Sequence, residues 1–340
     1  MTLPFQKLPF LVMQNVLQIM GFLDLFLLSC TSSKTKRIVR NAFDVRKHFL
    51  AVHFQDALKI LIQSGTNLNY AEAIYLSSKN EQKNRKVFHV NIGAVDRVPS
   101  DYTKQLGNKN ALVLTTYWDD PKIRFNVFYN AVFEVFQAKF DGVMLDLDDV
   151  QVENYQELFN WIEDHLPPLP AFRIKGRCSF QNYIWLMKTV KARDHIQFVM
   201  EPTEYPENHE TVNLEAEKVD IQYGKWMKIE DIQAINARDI DLRDISLTDD
   251  DINAFSKILD GFKEKSNLKK LSLEFFRVAD TVVVLEGLNV IDEDEIKPPY
   301  SLKQWSFVMA NGEKCTVIYA EYDNDLSDNL SFGFDILIGY

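Results

Sequence analysis

Leu8 to Arg40 reads LPFLVMQNVLQIMGFLDLFLLSCTSSKTKRIVR, an apolar helical pattern that opens on Leu-Pro, breaks at Gly21, resumes, and ends in a basic run. Pro9 fits a first helical turn, where its missing N–H is no loss, and Val12, Val16, Leu17 and Met20 then share one stripe at helical spacing. Leu25 and Leu28 continue the stripe on a second helix, whose start Asp24 can cap or charge. Ser32 and Ser33 break that helix, and Lys34 to Val39, with Ile38 among them, fit a third. Three helices this short cannot bury so much leucine, valine and phenylalanine among themselves. The stripe therefore either docks on the rest of the chain or faces a partner, and periodicity leaves both open.

Leu8-Pro9, Val16-Leu17, Met20, Asp24-Leu25, Leu28-Ser29, Ser33-Lys34 and Ile38-Val39 resemble the F-box, the segment by which substrate receptors hang on the Skp-type adaptor of cullin ubiquitin ligases. Two positions depart from that family: Gly21-Phe22 stands where Asp-Pro is usual, and no acidic residue follows Leu8-Pro9. The resemblance implies an F-box over residues 1–45 that meets the adaptor through Leu8, Pro9, Val12, Val16, Leu17, Met20, Leu25, Leu28 and Ile38. Leu17 and Leu25 are the expected hot spots, where a charged replacement costs at least about 2 kcal/mol each. Two plainer readings compete. Leu27-Leu28-Ser29-Cys30 is similar to a lipoprotein signal, but only Lys7 gives basic charge ahead of it and Gln14, Asn15, Gln18 and Asp24 interrupt its apolar run. The helices could also be ordinary core of a larger domain.

The chain has 340 residues, is 46% hydrophobic, and is too apolar for general disorder. No run of about 18 apolar residues goes uninterrupted, so no membrane span is expected. Cys30, Cys178 and Cys315 lie far apart with no paired spacing, which argues against a disulfide framework or a zinc site and implies a reducing compartment, cytoplasmic or nuclear. A net charge of −11 disfavours nucleic-acid binding, which draws on a cationic face, and the basic Lys34–Lys47 segment reads as a solvated helix face.

After the N-terminal helices the period changes. Short alternating runs from about Phe49 to Trp118 read as antiparallel strands, and Asn126 to Phe140 as a helix through Phe128, Val132, Phe133 and Phe136. Strands at Val143–Leu147, Ala171–Ile174, Ile196–Met200, Ile240–Leu242 and Leu268–Leu273 then alternate with helices at Asn154–His165, Ser179–Val190 and Asp249–Phe262. Their recurrence is that of leucine-rich-type repeats, stacked into an array with one exposed strand face. Thr248 to Asp251 has capping-box spacing. In the tail, Val282–Leu285, Trp305–Met309 and Cys315–Ala320 read as strands, Asn311-Gly312 as a type I′ turn, and Asp292–Glu295 with Pro298-Pro299 as a solvated connection. The expected class is α+β: a three-helix F-box (1–45), a β-rich connecting segment (46–118), a leucine-rich-repeat-like strand–helix array (119–280) and C-terminal strands (281–340).

Trp226, Ile229, Asp231-Ile232, Asp239–Leu242, Leu247-Thr248, Asp251-Ile252-Asn253, Phe255, Lys257, Leu268 and Leu271 resemble the F-box-associated domain of the large nematode F-box family, with Leu259 where tryptophan is common. Catalytic patterns are scarce. None of the six histidines has metal-ligand spacing, no nucleophile elbow or phosphate loop occurs, and Asp146, Asp148 and Asp149 form the best acidic cluster, expected as a strand end with a solvated loop. The two resemblances together imply a non-catalytic, cofactor-free substrate receptor that binds a Skp-type adaptor, through it a cullin, and an unknown protein target. It acts by proximity, raising the effective concentration of target lysines. The rivals are a repeat-type interaction module with no ubiquitin role, whose N-terminal helices cap the array, and a hydrolase built around Asp146.

Overall fold

The N-terminal apolar pattern breaks into α1 (Phe10–Ile19), α2 (Phe22–Ser29) and α3 (Ser33–Ala42). The computed structural model describes residues 8–42, 48–54, 58–64, 71–82, 85–105, 111–137, 139–148, 155–206, 208–261, 267–296, 302–322 and 331–339. The chain divides into two compact units, Met1–Pro167 and Pro168–Tyr340. That break falls within the array expected over 119–280, because the first strand of that stretch pairs inside the first unit.

In the first unit β1 (His48–Phe54), β2 (Leu58–Ser64), β3 (Ala71–Ser78), β4 (Phe88–Ile92), β5 (Val95–Gln105), β6 (Ala111–Trp118) and β7 (Lys139–Asp146) lie in the order β7-β1-β2-β3-β6-β5-β4. The sheet is mixed, not antiparallel throughout. β1 pairs antiparallel with β2 and β2 with β3, but β1 runs parallel to β7 and β3 parallel to β6. Between β6 and β7 runs α4 (Pro121–Phe136), and α5 (Tyr155–His165) follows β7. Phe125, Phe128, Val132, Val135 and Phe136 recur every three or four residues and are buried on α4's inner face. Phe133 lies off that face and is exposed, and Phe140 belongs to β7, contrary to the helical run expected through both. On α5, Leu158, Phe159 and Ile162 point inward as their spacing requires.

The second unit is ordered by alternation. β8 (Ala171–Cys178), β9 (His195–Pro202), β10 (Leu214–Ile221), β11 (Ile235–Leu242) and β12 (Lys270–Phe275) lie side by side in chain order, every described pair parallel. Parallel sheets covered on both faces read as continuous apolar runs. Here Phe172, Ile174, Ile196, Phe198, Val219, Ile221, Ile240, Leu242, Leu271 and Leu273 are buried, while the residues between them are polar and partly exposed. One face is core and the other meets water. The helices that intervene are α6 (Phe180–Thr189), α7 (Ile229–Gln233) and α8 (Asp249–Asp260). Ser179 caps α6 by accepting from Asn182 N–H, and on α8 the Thr248–Asp251 box closes, Thr248 N–H donating to Asp251 at 2.8 Å. Ile252, Phe255 and Leu259 face inward; Phe262, expected with them, lies outside the described residues.

Three tail expectations are corrected. Val282–Leu285 is helical within α9 (Thr281–Leu285), because Asp280 accepts from Val282 N–H at 3.0 Å and starts a turn that a bare valine run does not reveal. Asp292–Glu295 is not a loose connection but part of β13 (Asp292–Ile296), antiparallel to β14 (Leu302–Val308) at the sheet edge. Asn311-Gly312 is not type I′, which needs positive φ at both central residues: Gly312 alone has it (+84°), and its N–H closes a turn on Met309 O at 2.8 Å before β15 (Lys314–Tyr322). β16 (Ser331–Ile338) then inserts antiparallel between β15 and β12. β10 was not expected at all. Its Glu215 and Glu217 are exposed and Lys218 is half-buried, all three poor strand formers, while Leu214, Val219 and Ile221 are buried.

Candidate functional site

The three N-terminal helices divide their apolar surface unequally. On α2, Phe22, Leu23, Leu25 and Phe26 are all buried, Leu23 and Phe26 completely. The covering comes from α4: the Phe22 ring centroid lies 4.0 Å from that of Phe136, and Phe26 lies 5.4 Å from Phe128. Beside them Lys36 of α3 reaches Glu134 at 2.9 Å, a solvent-screened pair. Ser32 Oγ accepts from Thr35 N–H at 3.1 Å to start α3, and Thr35 and Val39 turn inward.

Helix α1 is different. Only Leu17 is buried, with Met13, Val16 and Met20 half-buried around it, whereas Phe10 is 61% exposed, Leu11 71%, Val12 44% and Ile19 85%. Several large exposed apolar side chains on one short helix are the kind of patch that marks interaction surfaces. Of the residues expected at the adaptor, Pro9 and Val12 are exposed, and Leu8, Val16, Met20, Leu28 and Ile38 are half-buried. Leu17 and Leu25 are 3% and 5% exposed, enclosed by the chain itself, so a charge there unseats the helices before it can report on a partner. Phe10, Leu11 and Ile19, which the sequence reading did not single out, are the most exposed apolar residues of α1. Three of the ten residues of α1 are polar, Gln14, Asn15 and Gln18, so apolar side chains also fall outside the stripe read from the sequence.

The start of α2 explains one departure from the F-box pattern. Its N-cap is Gly21, which has no side chain to offer, and the acceptor comes instead from β3: Leu23 N–H donates to Glu72 Oε2 at 2.6 Å. A Cβ on residue 21 would stand 2.6 Å from Glu72 Oε1, so glycine clears the space. Burial raises the Glu72 carboxyl above its ordinary value, against hydrogen bonds from Leu23 and Phe22 N–H that favour the charged form; Asp24 adds to the rise. The folded unit therefore holds that proton more tightly than the unfolded chain. The resulting stability is complete at low pH and is lost as pH rises through the raised value. Glu72→Gln, which keeps an acceptor and discards the charge, is expected to flatten this slope in denaturant titrations at stepped pH. Glu72→Ala orphans the helix N-terminus and is expected to cost about 1–2 kcal/mol at every pH. Equal slopes in wild type and Glu72→Gln would refute the assignment.

Residues 5–43 match the F-box domain, and residues 205–274 match the F-box associated domain. The chain carries both F-box modules. No curated protein and no solved structure matches it. Modules of these two kinds are typically non-catalytic adaptors, and F-box domains in general bind a Skp-type adaptor through which a cullin is reached. The F-box match coincides with α1–α3 and the second match spans β10 to β12.

Within the F-box-associated match the motif residues are framework. Trp226 is buried, edge-on to Tyr183 and His209, and donates to Tyr183 Oη at 3.3 Å. Asp231 accepts from Lys228 N–H at 2.8 Å and pairs with buried His209 at 2.9 Å, which fastens the strand-free stretch before β10 to the start of α7. Asn253 donates to the carbonyls of Val284 and Glu286 at 2.8 and 2.9 Å, tying α8 to α9. Leu259, standing for tryptophan, is buried. On the wet face His195 and Lys218 hold Asp220 at 2.8 and 3.0 Å; burial pushes that carboxyl up, but the two hydrogen bonds prevail and keep it below its usual range. Its contribution to stability is accordingly lost on acidification.

Asp146 is buried at the end of β7 and accepts from Asp148 N–H, while Asp149 lies outside the described residues. Among the described residues no group of three or more His, Cys, Asp or Glu is placed to hold a metal ion, and no helix is long and apolar enough to cross a membrane. Burial pushes the Cys30 thiol up to about 11 and that of Cys315 to about 12, which leaves both protonated at neutral pH.

Proposed function

We propose that this chain is the substrate-recognition subunit of a Skp-cullin-F-box ubiquitin ligase, working in the cytoplasm or nucleus and tethering a protein target without catalysis of its own. The observation that carries the reading is α1: seated by Leu17, it leaves Phe10, Leu11, Val12 and Ile19 facing water within the stretch that matches the F-box domain. Leu8, Pro9, Val16, Met20, Leu28 and Ile38 complete the contact, and Leu17 and Leu25 support it from inside. The residues quoted for the second domain favour the large nematode F-box family as its source, and the succession of parallel neighbours from β8 to β12 favours a leucine-rich-repeat-like recognition surface.

Mixing the purified full chain with a Skp-type adaptor is expected to give a stoichiometric complex in gel filtration under reducing conditions, and adding a cullin is expected to enlarge it. Failure to form the first complex at micromolar concentration removes the ligase role. The sealing of α2 against α4 favours the second reading, an interaction module whose N-terminal helices serve only its own fold. In that case α1 should bind no adaptor.

A further inference from the structure

Directly after β12 the chain makes a knuckle that is rigidly held yet apolar on the outside. Phe276 is 51% exposed, Val278 69% and Val282 78%. Isolated exposed apolar residues are ordinary, but three between positions 276 and 282 on braced backbone are not. The braces converge on Asp249 at the start of α8. Its Oδ1 takes the Arg277 guanidinium and its Oδ2 accepts from Asp280 N–H at 3.0 Å, while Arg277 also donates to Leu247 O at 2.7 Å and lies over the Phe275 ring. Ala279 N–H donates to Tyr319 Oη at 3.3 Å. These contacts hold the loop, while Phe276, Val278 and Val282 stay exposed. The knuckle sits at the carboxyl end of a parallel strand, where open α/β sheets place their binding loops.

Charge selects the occupant. Asp250, Asp280 and Glu286, close in sequence to the knuckle, are exposed; Arg277 is engaged by Asp249, Arg243 is paired with Asp241 and Glu274, and Lys257 lies exposed beside Gly287. We propose that this knuckle is a docking point for a target polypeptide segment in which bulky apolar residues alternate with lysine or arginine. The proposal rests on the receptor reading and gives the target's chemistry: apolar side chains settle on Phe276, Val278 and Val282, and the flanking cations meet the acidic rim. A pre-braced loop loses little ordering entropy on binding.

The test is selection of a random short-peptide display library on the immobilised full chain, with counter-selection on Phe276→Ser/Val278→Ser. These side chains are exposed, so the variant should fold as wild type does. Peptides kept by wild type and lost by the variant are expected to be rich in Lys or Arg beside Leu, Ile or Phe. Synthesised singly, they should bind the double variant at least about tenfold more weakly, and Glu286→Lys severalfold more weakly with a shallower salt dependence. An empty selection, peptides without excess positive charge, or equal affinity for the variant overturns the proposal. So does a wild-type dimer that the variant dissolves, which would give the patch to a second copy. Adaptor binding, measured on the same samples, should be unchanged in both variants. If wild type binds peptide but no adaptor, the ligase reading fails and the docking point stands.

Discussion

Aspartate at both Leu11 and Ile19 is expected to abolish complex formation with a Skp-type adaptor while leaving the unfolding midpoint almost where it was. The two side chains are 71% and 85% exposed, and substitutions at such positions usually change stability by no more than about 0.5 kcal/mol. If they are anchors, each is worth about 2 kcal/mol or more in the complex, so the double change should weaken binding by roughly a thousandfold. Leu17→Asp and Leu25→Asp form the control with the opposite signature. Both sites are nearly closed to water, and a carboxylate placed there must be protonated, dragged out, or paid for in lost packing, so stability and binding fall together. Calorimetric binding and thermal melts on the four variants separate the cases. Retention of adaptor binding by the Leu11/Ile19 variant would show that α1's open face is not the contact; loss of stability would show that the face is covered.

What was legible in the sequence follows how local each cause is. The inner faces of α5 and α8, the Thr248 box and most strands of the second unit rest on period and caps within a few residues, and they fall where the pattern puts them. Helix α1 was located but not oriented. With apolar residues on all sides, its spacing offers several stripes of similar strength, and only the packing of Leu17 chooses among them. Glu72 was invisible because the helix start it serves lies 49 residues away, and the only local trace is a glycine where an acidic residue is usual. β10 was hidden by its own composition, since Glu215, Glu217 and Lys218 contradict strand propensity. The knuckle after β12 had no periodic signal. Its meaning depends on Asp249 reaching it from another element.

Removing residues 1–43 is expected to destabilise what remains of the first unit, not merely to blind it to an adaptor. A freely hinged F-box would come away cleanly. Here Phe22 and Phe26 lie on Phe136 and Phe128, and both α4 rings are fully buried only with that cover in place. Glu72 would also lose its Leu23 partner. Exposing one large buried side chain costs about 1.5–3 kcal/mol, and at least two are uncovered at once. The truncated chain is spared the entropy of ordering three helices, but that entropy was never borne by α4. The net loss is several kcal/mol against a domain total of about 5–15, enough to unfold the unit near body temperature or expose it to aggregation. Denaturant unfolding should show an earlier transition in the truncated chain, with dye binding to newly exposed apolar surface, and Phe26→Ala should reproduce about 3–5 kcal/mol of the effect in the full chain. An unshifted transition would mean that α2 and α4 touch without supporting each other. A shifted one means that the helical module carrying α1 is mounted on the first unit's own core, so that whatever binds α1 grips a fixed part of that unit and not a segment on a tether.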